Sequence, residues 1–265
     1  ASTVALLRPG DRTTTPILDV RHLSRSFGGL QAVADVSFSA SRGSITGLIG
    51  PNGAGKSTTL AIVAGSLRSS AGSVFFGGTD VTGMPSHRLA RLGLARTFQM
   101  AGDFDRLTVL ENLLVAAPRQ RGESIRAIYS PRRAWRKQEA ELVEKGRALL
   151  DRFELADHED AYAGELSGGQ RRLMELARAL MADPSLLLLD EPMAGVNPRL
   201  MHHLGEHLLD LARSGLAIVL VEHELRLIEQ VCDHVVVLAQ GKVIGAGSMA
   251  EVRQMEEVLE AYIAG

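Results

Sequence analysis

The chain has 265 residues, of which 45% are hydrophobic and 23% are charged, and its formal net charge is −2 at pH 7. That composition supports a substantial apolar core in one large domain or two modest ones, and the near-zero charge argues against a protein dominated by contacts to nucleic-acid phosphates. The single cysteine, Cys232, excludes an internal disulfide and favours a reducing compartment, and no apolar run approaches the roughly 20 residues of a membrane-spanning helix.

The first predicted strands follow a short leader. Residues 1–16 contain two arginines but no sustained apolar stretch or cleavage pattern, so we interpret them as a flexible leader. Residues 17–20 and 34–40 are predicted strands, the second with apolar side chains at alternate positions. Between them, the sequence Phe27-Gly28-Gly29 predicts a turn that carries an exposed aromatic ring.

The next segment fits the phosphate-binding pattern G-x-x-x-x-G-K-[ST], with a predicted strand at 44–49 before it and a predicted helix at 58–64 after it. Glycines in such a loop let backbone N–H groups point at phosphate oxygens, and the helix start adds partial positive charge. Lys56 can reach the β- and γ-phosphates, and the Ser57 hydroxyl can ligate Mg²⁺. The sequence therefore predicts a nucleoside triphosphate site. The predicted nucleotide contacts are Gly50, Pro51, Asn52, Gly53, Ala54, Gly55, Lys56, Ser57 and Thr58.

The pattern then changes from mixed to helical. Before residue 100 it predicts a strand at 72–78, a helix at 85–91 and a strand or strand end at 94–99. From about 100 to 165 it predicts helices, at 108–115 and at about 134–153.

A basic insert, Arg119–Lys137, separates these two helices. We interpret it as a solvated face. The alternative is a surface that lies near anionic lipid headgroups or a membrane partner.

Two later segments carry further chemistry. Residues 166–170, Leu-Ser-Gly-Gly-Gln, precede a predicted helix at 170–182 and by themselves indicate only a serine N-cap. Residues 186–191 form an apolar strand that ends in Asp190 and Glu191. A carboxylate at the C-terminal edge of such a strand lies beside the phosphate loop, where Asp190 can hold Mg²⁺ through water and Glu191 can orient the attacking water.

The rest of the chain alternates helices and strands, so the predicted fold class is α/β with a mostly parallel central sheet. The elements are a helix at 198–214, a strand at 216–221, a helix at 224–232, a hairpin at 234–247 and a terminal helix at 251–264. His203 and His207 stand four residues apart on the first of these helices. Because no third ligand is evident, we interpret them as surface or packing histidines rather than a zinc site.

Taken together, the phosphate loop, the Ser-Gly-Gly helix start and the Asp-Glu strand resemble the ATP-binding-cassette (ABC) family over about residues 17–265. The resemblance implies a single ABC ATPase domain with a P-loop NTPase, RecA-like core. It also implies an N-terminal antiparallel β subdomain, a helical subdomain inserted at about 100–165 and a C-terminal helix at 249–265.

The resemblance also implies ATP and Mg²⁺ as cofactors and ATP hydrolysis as the activity. The enzyme would work as a head-to-tail dimer, in which one subunit's helix start caps the γ-phosphate held by Lys56 of the other. The capping residues would be Ser167, Gly168, Gly169 and Gln170. A glycine-rich helix start is a second anion site on physical grounds as well.

Other positions are assigned through the same resemblance. Gln99 matches a glutamine that contacts Mg²⁺ and the attacking water, His223 matches a histidine that contacts the γ-phosphate, and Phe27 matches an aromatic that stacks on adenine. The implied catalytic set is Glu191, His223, Gln99 and Lys56, and the implied Mg²⁺ ligands are Ser57, Gln99 and Asp190. Asn197 stands where many members have aspartate, and its side chain can still form hydrogen bonds but lacks the negative charge.

Within the family, the chain resembles the branched-chain amino-acid importers. The shared features are Phe27-Gly28-Gly29-Leu30, Asn197, Val221-Glu222-His223, the basic insert and Glu260-Ala261-Tyr262. The subfamily implies a second ATPase subunit, transmembrane permease subunits and a solute-binding protein as partners, with the chain at the cytoplasmic face of the plasma membrane. ATPases of urea or amide importers and of lipopolysaccharide exporters share several of these features and remain open. A soluble ABC ATPase that acts on nucleic acid or ribosomes is a third alternative, but such proteins usually have two cassettes or a long coiled-coil insertion, and neither is visible.

Overall fold

A computed structural model of the chain describes residues 15–97, 104–118, 132–194 and 198–263, which form two β-sheets and the helices around them. The strands are β1 (Leu18–Phe27), β2 (Leu30–Ala40), β3 (Ile45–Ile49), β4 (Ala71–Phe76), β5 (Thr79–Asp80), β6 (Leu94–Arg96), β7 (Leu186–Asp190), β8 (Ala217–Val221), β9 (His234–Ala239) and β10 (Lys242–Gly247). The helices are α1 (Lys56–Val63), α2 (Ser86–Leu92), α3 (Val109–Val115), α4 (Arg132–Arg152), α5 (Gly168–Leu180), α6 (Pro198–Arg213), α7 (Leu225–Val231), α8 (Met249–Val252) and α9 (Glu256–Ile263).

The smaller sheet is antiparallel and has the strand order β2-β1-β4-β5. β1 and β2 form a hairpin in which Phe27 pairs with Leu30 across the two-residue turn Gly28-Gly29. Both strands are longer than the alternation of apolar residues predicted. The ladder continues beyond the buried positions into exposed pairs near the turn, where no apolar pattern is needed to hold it.

The larger sheet has the order β10-β9-β3-β8-β7-β6, and only β10 runs antiparallel to its neighbour. Its central strands β3, β7 and β8 are buried at every position, as expected for parallel strands covered on both faces. Asp190 pairs with Val221 and Val221 with Leu48, so β7, β8 and β3 end at one edge. The segments that follow these three strands therefore begin side by side.

Alternate residues of the central strands face two different apolar cores. Leu186 and Leu188 of β7 pack toward α1 and the antiparallel sheet, whereas Leu187 and Leu189 pack toward α3–α7. Phe153, which directly follows α4, is fully buried in the second of these cores. Close-packed apolar side chains therefore cover both faces of the larger sheet and support the edge at which β3, β7 and β8 end.

Helix α3 begins at a capping box, with Thr108 accepting from the Glu111 amide and Glu111 accepting from the Thr108 amide. Within this helix, Asn112 is fully buried and its amide group donates to the carbonyls of Phe104, Leu107 and Thr108. Its oxygen accepts from the Phe104 amide at 3.2 Å. A buried amide with these bonds fixes the chain that leads into α3.

The C-terminal helix expected at 249–265 is divided into α8 and α9. The amides of Gln254 and Met255 donate three residues back, to the carbonyls of Glu251 and Val252, and this tight turn ends α8. In one unbroken helix Val252 and Val258 would point about 120° apart. The break lets both side chains, 1% and 4% exposed, pack against the core.

Candidate nucleotide-binding site

The phosphate loop joins β3 to α1 at the edge where β3, β7 and β8 end. Gly50 (φ 143°) and Gly55 (φ 96°) have backbone conformations that favour glycine, and a Cβ at either would clash with a carbonyl oxygen, of Leu238 or Ala32 respectively. Gly55 caps α1 and offers no side-chain acceptor to the first turn. The amide groups of that turn are therefore donors for an anion.

Lys56 is the first residue of α1 and is only 6% exposed. Its Nζ donates to the carbonyl oxygens of Gly50 (2.8 Å) and Pro51 (2.9 Å). Burial lowers the pKa of Lys56, and the nearby carboxylates of Glu191 and Asp190 oppose that shift by favouring the charged amine. The cation is thus held across the loop, where a phosphate could replace the carbonyl acceptors.

Asp190 faces the same loop from the end of β7, with its side chain 1% exposed. Its Oδ1 accepts from the Ser57 hydroxyl at 3.1 Å, and its Oδ2 accepts from the Arg96 guanidinium at 2.9 Å. The structure therefore brings Lys56, Ser57 and Asp190 together, as the sequence predicts. Arg96, on β6, was given no role from the sequence, because nothing in its local pattern shows that it reaches β7.

Glu191 leaves the strand with φ 48°, a left-handed conformation that costs about 1–2 kcal/mol in a residue other than glycine. Its amide donates to the Val221 carbonyl at 2.9 Å, and its carbonyl accepts from Ala194 at 3.1 Å. The backbone is thereby turned off the sheet at the position assigned to water activation. Its carboxylate lies close enough to Lys56 to affect that residue's pKa.

His223 follows β8, and its side chain is 65% exposed. The preceding residue, Glu222, is fully buried and accepts from the amides of Met193 (2.9 Å) and His223 (3.2 Å). Burial raises the pKa of Glu222, while those two amides oppose the shift. Glu222 thus connects the loop after Glu191 to the backbone of His223 through hydrogen bonds. The signal for this role in the sequence is a charged residue that directly follows a fully apolar strand.

The helix start at 167–170 is built as a capping box. Ser167 accepts from the Gln170 amide at 3.3 Å, and the Gln170 side chain accepts from the Ser167 amide at 3.0 Å. A Cβ on Gly168 would meet only open space, whereas one on Gly169 would clash with Leu200 of α6. Among the described residues, the side-chain hydrogen bonds of Ser167 and Gln170 are to each other and to His158, and none reaches the phosphate loop.

Phe27 lies at the tip of the β1–β2 hairpin and is 45% exposed, with the Arg25 guanidinium carbon 4.6 Å from its ring centroid. One ring face is therefore covered by a cation, and the ring remains accessible for stacking. Gln99 and Asn197 lie outside the described residues, as does most of the basic insert.

The sequence and the fold both match known proteins. The family model described as "ABC transporter" matches residues 33–194. The probable branched-chain amino acid transport ATP-binding protein LivG of Archaeoglobus fulgidus is 43% identical over 93% of this chain and 95% of its own length. The high-affinity branched-chain amino acid transport ATP-binding protein BraF of Pseudomonas aeruginosa is 35% identical over 94% of this chain and 98% of its own. A solved ATP-binding cassette of an ABC transporter in its ADP conformation has a TM-score of 0.83 and 37% identity, and covers 95% of this chain and 100% of its own. A nucleotide-free cassette has a TM-score of 0.81 and 36% identity, over 94% and 99% of the two chains.

Proposed function

The chain belongs to the ABC transporter family of ATP-binding proteins, whose activity is ATP hydrolysis, and we propose that it powers the import of branched-chain or other amino acids. The observation that carries the chemistry is the meeting of Lys56, Ser57 and Asp190 beside the uncapped start of α1. The solute class rests on relatives named for branched-chain amino acid transport.

Binding of the triphosphate uses donors already directed into the loop. Phosphate oxygens would replace the Gly50 and Pro51 carbonyls as acceptors for Lys56, because a charge-assisted bond to phosphate is stronger than one to a neutral carbonyl. Amides at the start of α1 would add further bonds and the partial positive charge of the helix end. Phe27 would stack on adenine through its ring.

The residues at the end of β7 also fit Mg²⁺. Ser57 Oγ and Asp190 Oδ1 are 3.1 Å apart, so the Ser57 hydroxyl could ligate Mg²⁺ while Asp190 holds it through a water. Both are oxygen donors, as this hard cation requires. When bound, Mg²⁺ neutralises charge on the phosphates. We assign Ser57 and Asp190 to hold it, with Gln99 as a further proposed ligand.

Hydrolysis is assigned to the residues that follow the strands. Glu191 would orient and polarise the attacking water, and His223 would contact the γ-phosphate. Glu222 positions both segments, since its carboxylate bonds the amides of Met193 and His223. In this proposal Ser167, Gly168, Gly169 and Gln170 of a second ATPase subunit cap the γ-phosphate from the opposite side.

The remaining partners belong to the same proposal. No helix in the described part of the chain is long and apolar enough to cross a membrane. We propose that transmembrane permease subunits hold the ATPase at the cytoplasmic face of the plasma membrane, and that a solute-binding protein delivers the amino acid.

The experiment compares Glu191→Gln with Glu229→Gln, a half-exposed carboxylate paired with Arg253 on the surface. Glu191→Gln should keep ATP binding, lose nearly all phosphate release and run as a dimer in ATP on a sizing column. Glu229→Gln should behave like the parent. Turnover by Glu191→Gln within a few fold of the parent would refute the assigned role.

The solute is tested separately, with vesicles that contain the chain and the permease that co-purifies with it. Uptake of radiolabelled leucine that depends on ATP supports the proposal. Uptake of urea, or lipopolysaccharide export, would replace the solute while leaving the ATPase assignment intact.

A further inference from the structure

Three side chains that can bind metal meet where the end of α4 approaches α6. Glu154, His203 and His207 each place one ligand atom within 4.8 Å of the others. His203 Nδ1 lies 3.7 Å from Glu154 Oε1, and the two imidazole centroids are 5.9 Å apart. The cluster uses none of the residues assigned to ATP.

Local structure explains how the three residues come together. His203 and His207 are four residues apart on α6 and therefore share one face of the helix. Glu154 comes two residues after α4 ends, in a left-handed conformation (φ 57°), and its amide donates to the Asp151 carbonyl at 3.1 Å. The adjacent Phe153 is fully buried and packs edge-on to the His207 ring, with centroids 4.9 Å apart. That contact fixes the end of α4 against α6.

The His207 ring is suited to be a neutral ligand. Its Nε2 is buried and has no hydrogen-bond partner in the described part of the chain. A neutral imidazole keeps the lone pair that metal coordination needs.

We propose that Glu154, His203 and His207 form a binding site for a divalent transition-metal ion of the Zn²⁺ type. Two imidazole nitrogens and one carboxylate oxygen are a donor set that zinc accepts, with water completing four-fold coordination. Ligand atoms around a tetrahedral ion with bonds of about 2.1 Å lie roughly 3.4 Å apart. Ligand atoms that already lie within 4.8 Å of one another need only small side-chain rotations, which the exposure of Glu154 (67%) and His203 (41%) permits.

Charge also favours a cation at this position. In the form that coordinates a metal, two imidazoles and one carboxylate together carry a charge of −1. Arg152 and Asp210 also face His207 and act in opposite directions, although Asp210 is paired with Arg213. A 2+ ion therefore leaves the cluster with a net charge of only +1.

The same helix supplies a matched control. His202 Nε2 and Glu206 Oε1 are 3.6 Å apart, four residues along α6, and both side chains are well exposed. That pair has the same His–carboxylate separation as His203 and Glu154, and the cluster of three potential ligands does not include it. If an ordinary ion pair were the whole explanation for the cluster, the two pairs would respond alike to metal.

The test uses the full chain, free of any purification tag and stripped of metal, titrated with ZnCl₂ by calorimetry. We expect one equivalent of zinc per chain and a higher melting temperature with zinc. Glu154→Gln and His207→Gln should each weaken binding more than about tenfold, since loss of a group that only orients a ligand already costs 10- to 100-fold. His202→Ala should bind as the parent does.

A second measurement does not depend on variants that fold. Co²⁺ added to the parent should give the visible absorption bands of a four-coordinate ion, and zinc should abolish them. The proposal is overturned if the parent shows no such bands, if it binds no stoichiometric zinc, or if folded Glu154→Gln and His207→Gln bind zinc as the parent does. Equal loss of binding in His202→Ala would also overturn it.

Discussion

The buried ion pair between Arg96 and Asp190 can be tested by a double-mutant cycle of Arg96→Met and Asp190→Asn. The two side chains are 15% and 1% exposed, so water screens them little. Across the 2.9 Å that separates the bonded atoms, their charges attract by about 6 kcal/mol at an effective dielectric constant near 20. Desolvation cancels much of that gain, but loss of one partner of a buried pair costs roughly 3–5 kcal/mol.

We expect Arg96→Met to lower the free energy of unfolding by about 3 kcal/mol, at the low end of that range. The Asp190 carboxylate keeps its bond to Ser57 and has Lys56 nearby as a second cation. Asp190→Asn should cost less, about 2 kcal/mol, because Arg96 is partly exposed and can be hydrated.

The double variant should lose about 3 kcal/mol rather than 5, because it leaves no unpaired buried charge. The expected coupling energy is therefore about 2 kcal/mol. Urea unfolding followed by circular dichroism, without nucleotide, gives all four free energies. Additivity within about 0.5 kcal/mol would refute the reasoning, since it would mean that the pair contributes no energy of its own.

Three further predictions concern single residues. Ser167→Ala and Ser248→Ala each remove a helix cap of the same kind and should cost about 1 kcal/mol in urea unfolding, but only Ser167→Ala should lower the rate of phosphate release. Because burial raises the pKa of Glu222, the folded protein holds that proton more tightly than the unfolded chain. The contribution of Glu222 to stability is greatest below the ordinary glutamate pKa of 4.5 and falls as pH rises through the raised pKa. Urea unfolding measured across that pH window should show this fall in the parent and not in Glu222→Gln. Burial raises the pKa of Cys232 from 9.0 to about 12, so the native thiol should react with iodoacetamide roughly a thousandfold more slowly than a free thiol, and urea should restore the rate.

The phosphate loop and the ends of the strands could be predicted from the sequence because their signals are local. The spacing of Gly50, Lys56 and Ser57 is contained in one loop, and the run of four leucines before Asp190 predicts a buried parallel strand. Parallel strands end at one edge of a sheet, so topology alone brings Ser57 and Asp190 together. The α/β class and the ATP-binding family were predicted on the same signals, and the family and solved-structure matches confirm both.

Contacts between distant segments could not be predicted in this way. Glu154 lies 49 residues before His203, and nothing in its local pattern indicates a left-handed turn that brings its carboxylate to α6. Arg96 belongs to a three-residue strand whose pairing with β7 decides what its guanidinium meets. The break between α8 and α9 likewise depends on packing, because helical periodicity continues through Met255 while the core requires both Val252 and Val258. In each case tertiary packing outweighs a local preference.

The charges at the site support the proposal that a second subunit takes part in the reaction. Lys56 and Arg96 supply two positive charges, and Asp190 and Glu191 supply two negative ones, so these four residues have no net charge to offset a triphosphate. The start of α1 adds only about half a charge. Mg²⁺ would offset two negative charges. Part of the negative charge that develops on the transferred phosphoryl group would then still lack a compensating positive charge. A second helix start that presents amides, such as the one at Ser167 in a partner subunit, is the kind of group that would complete the balance without a further buried cation.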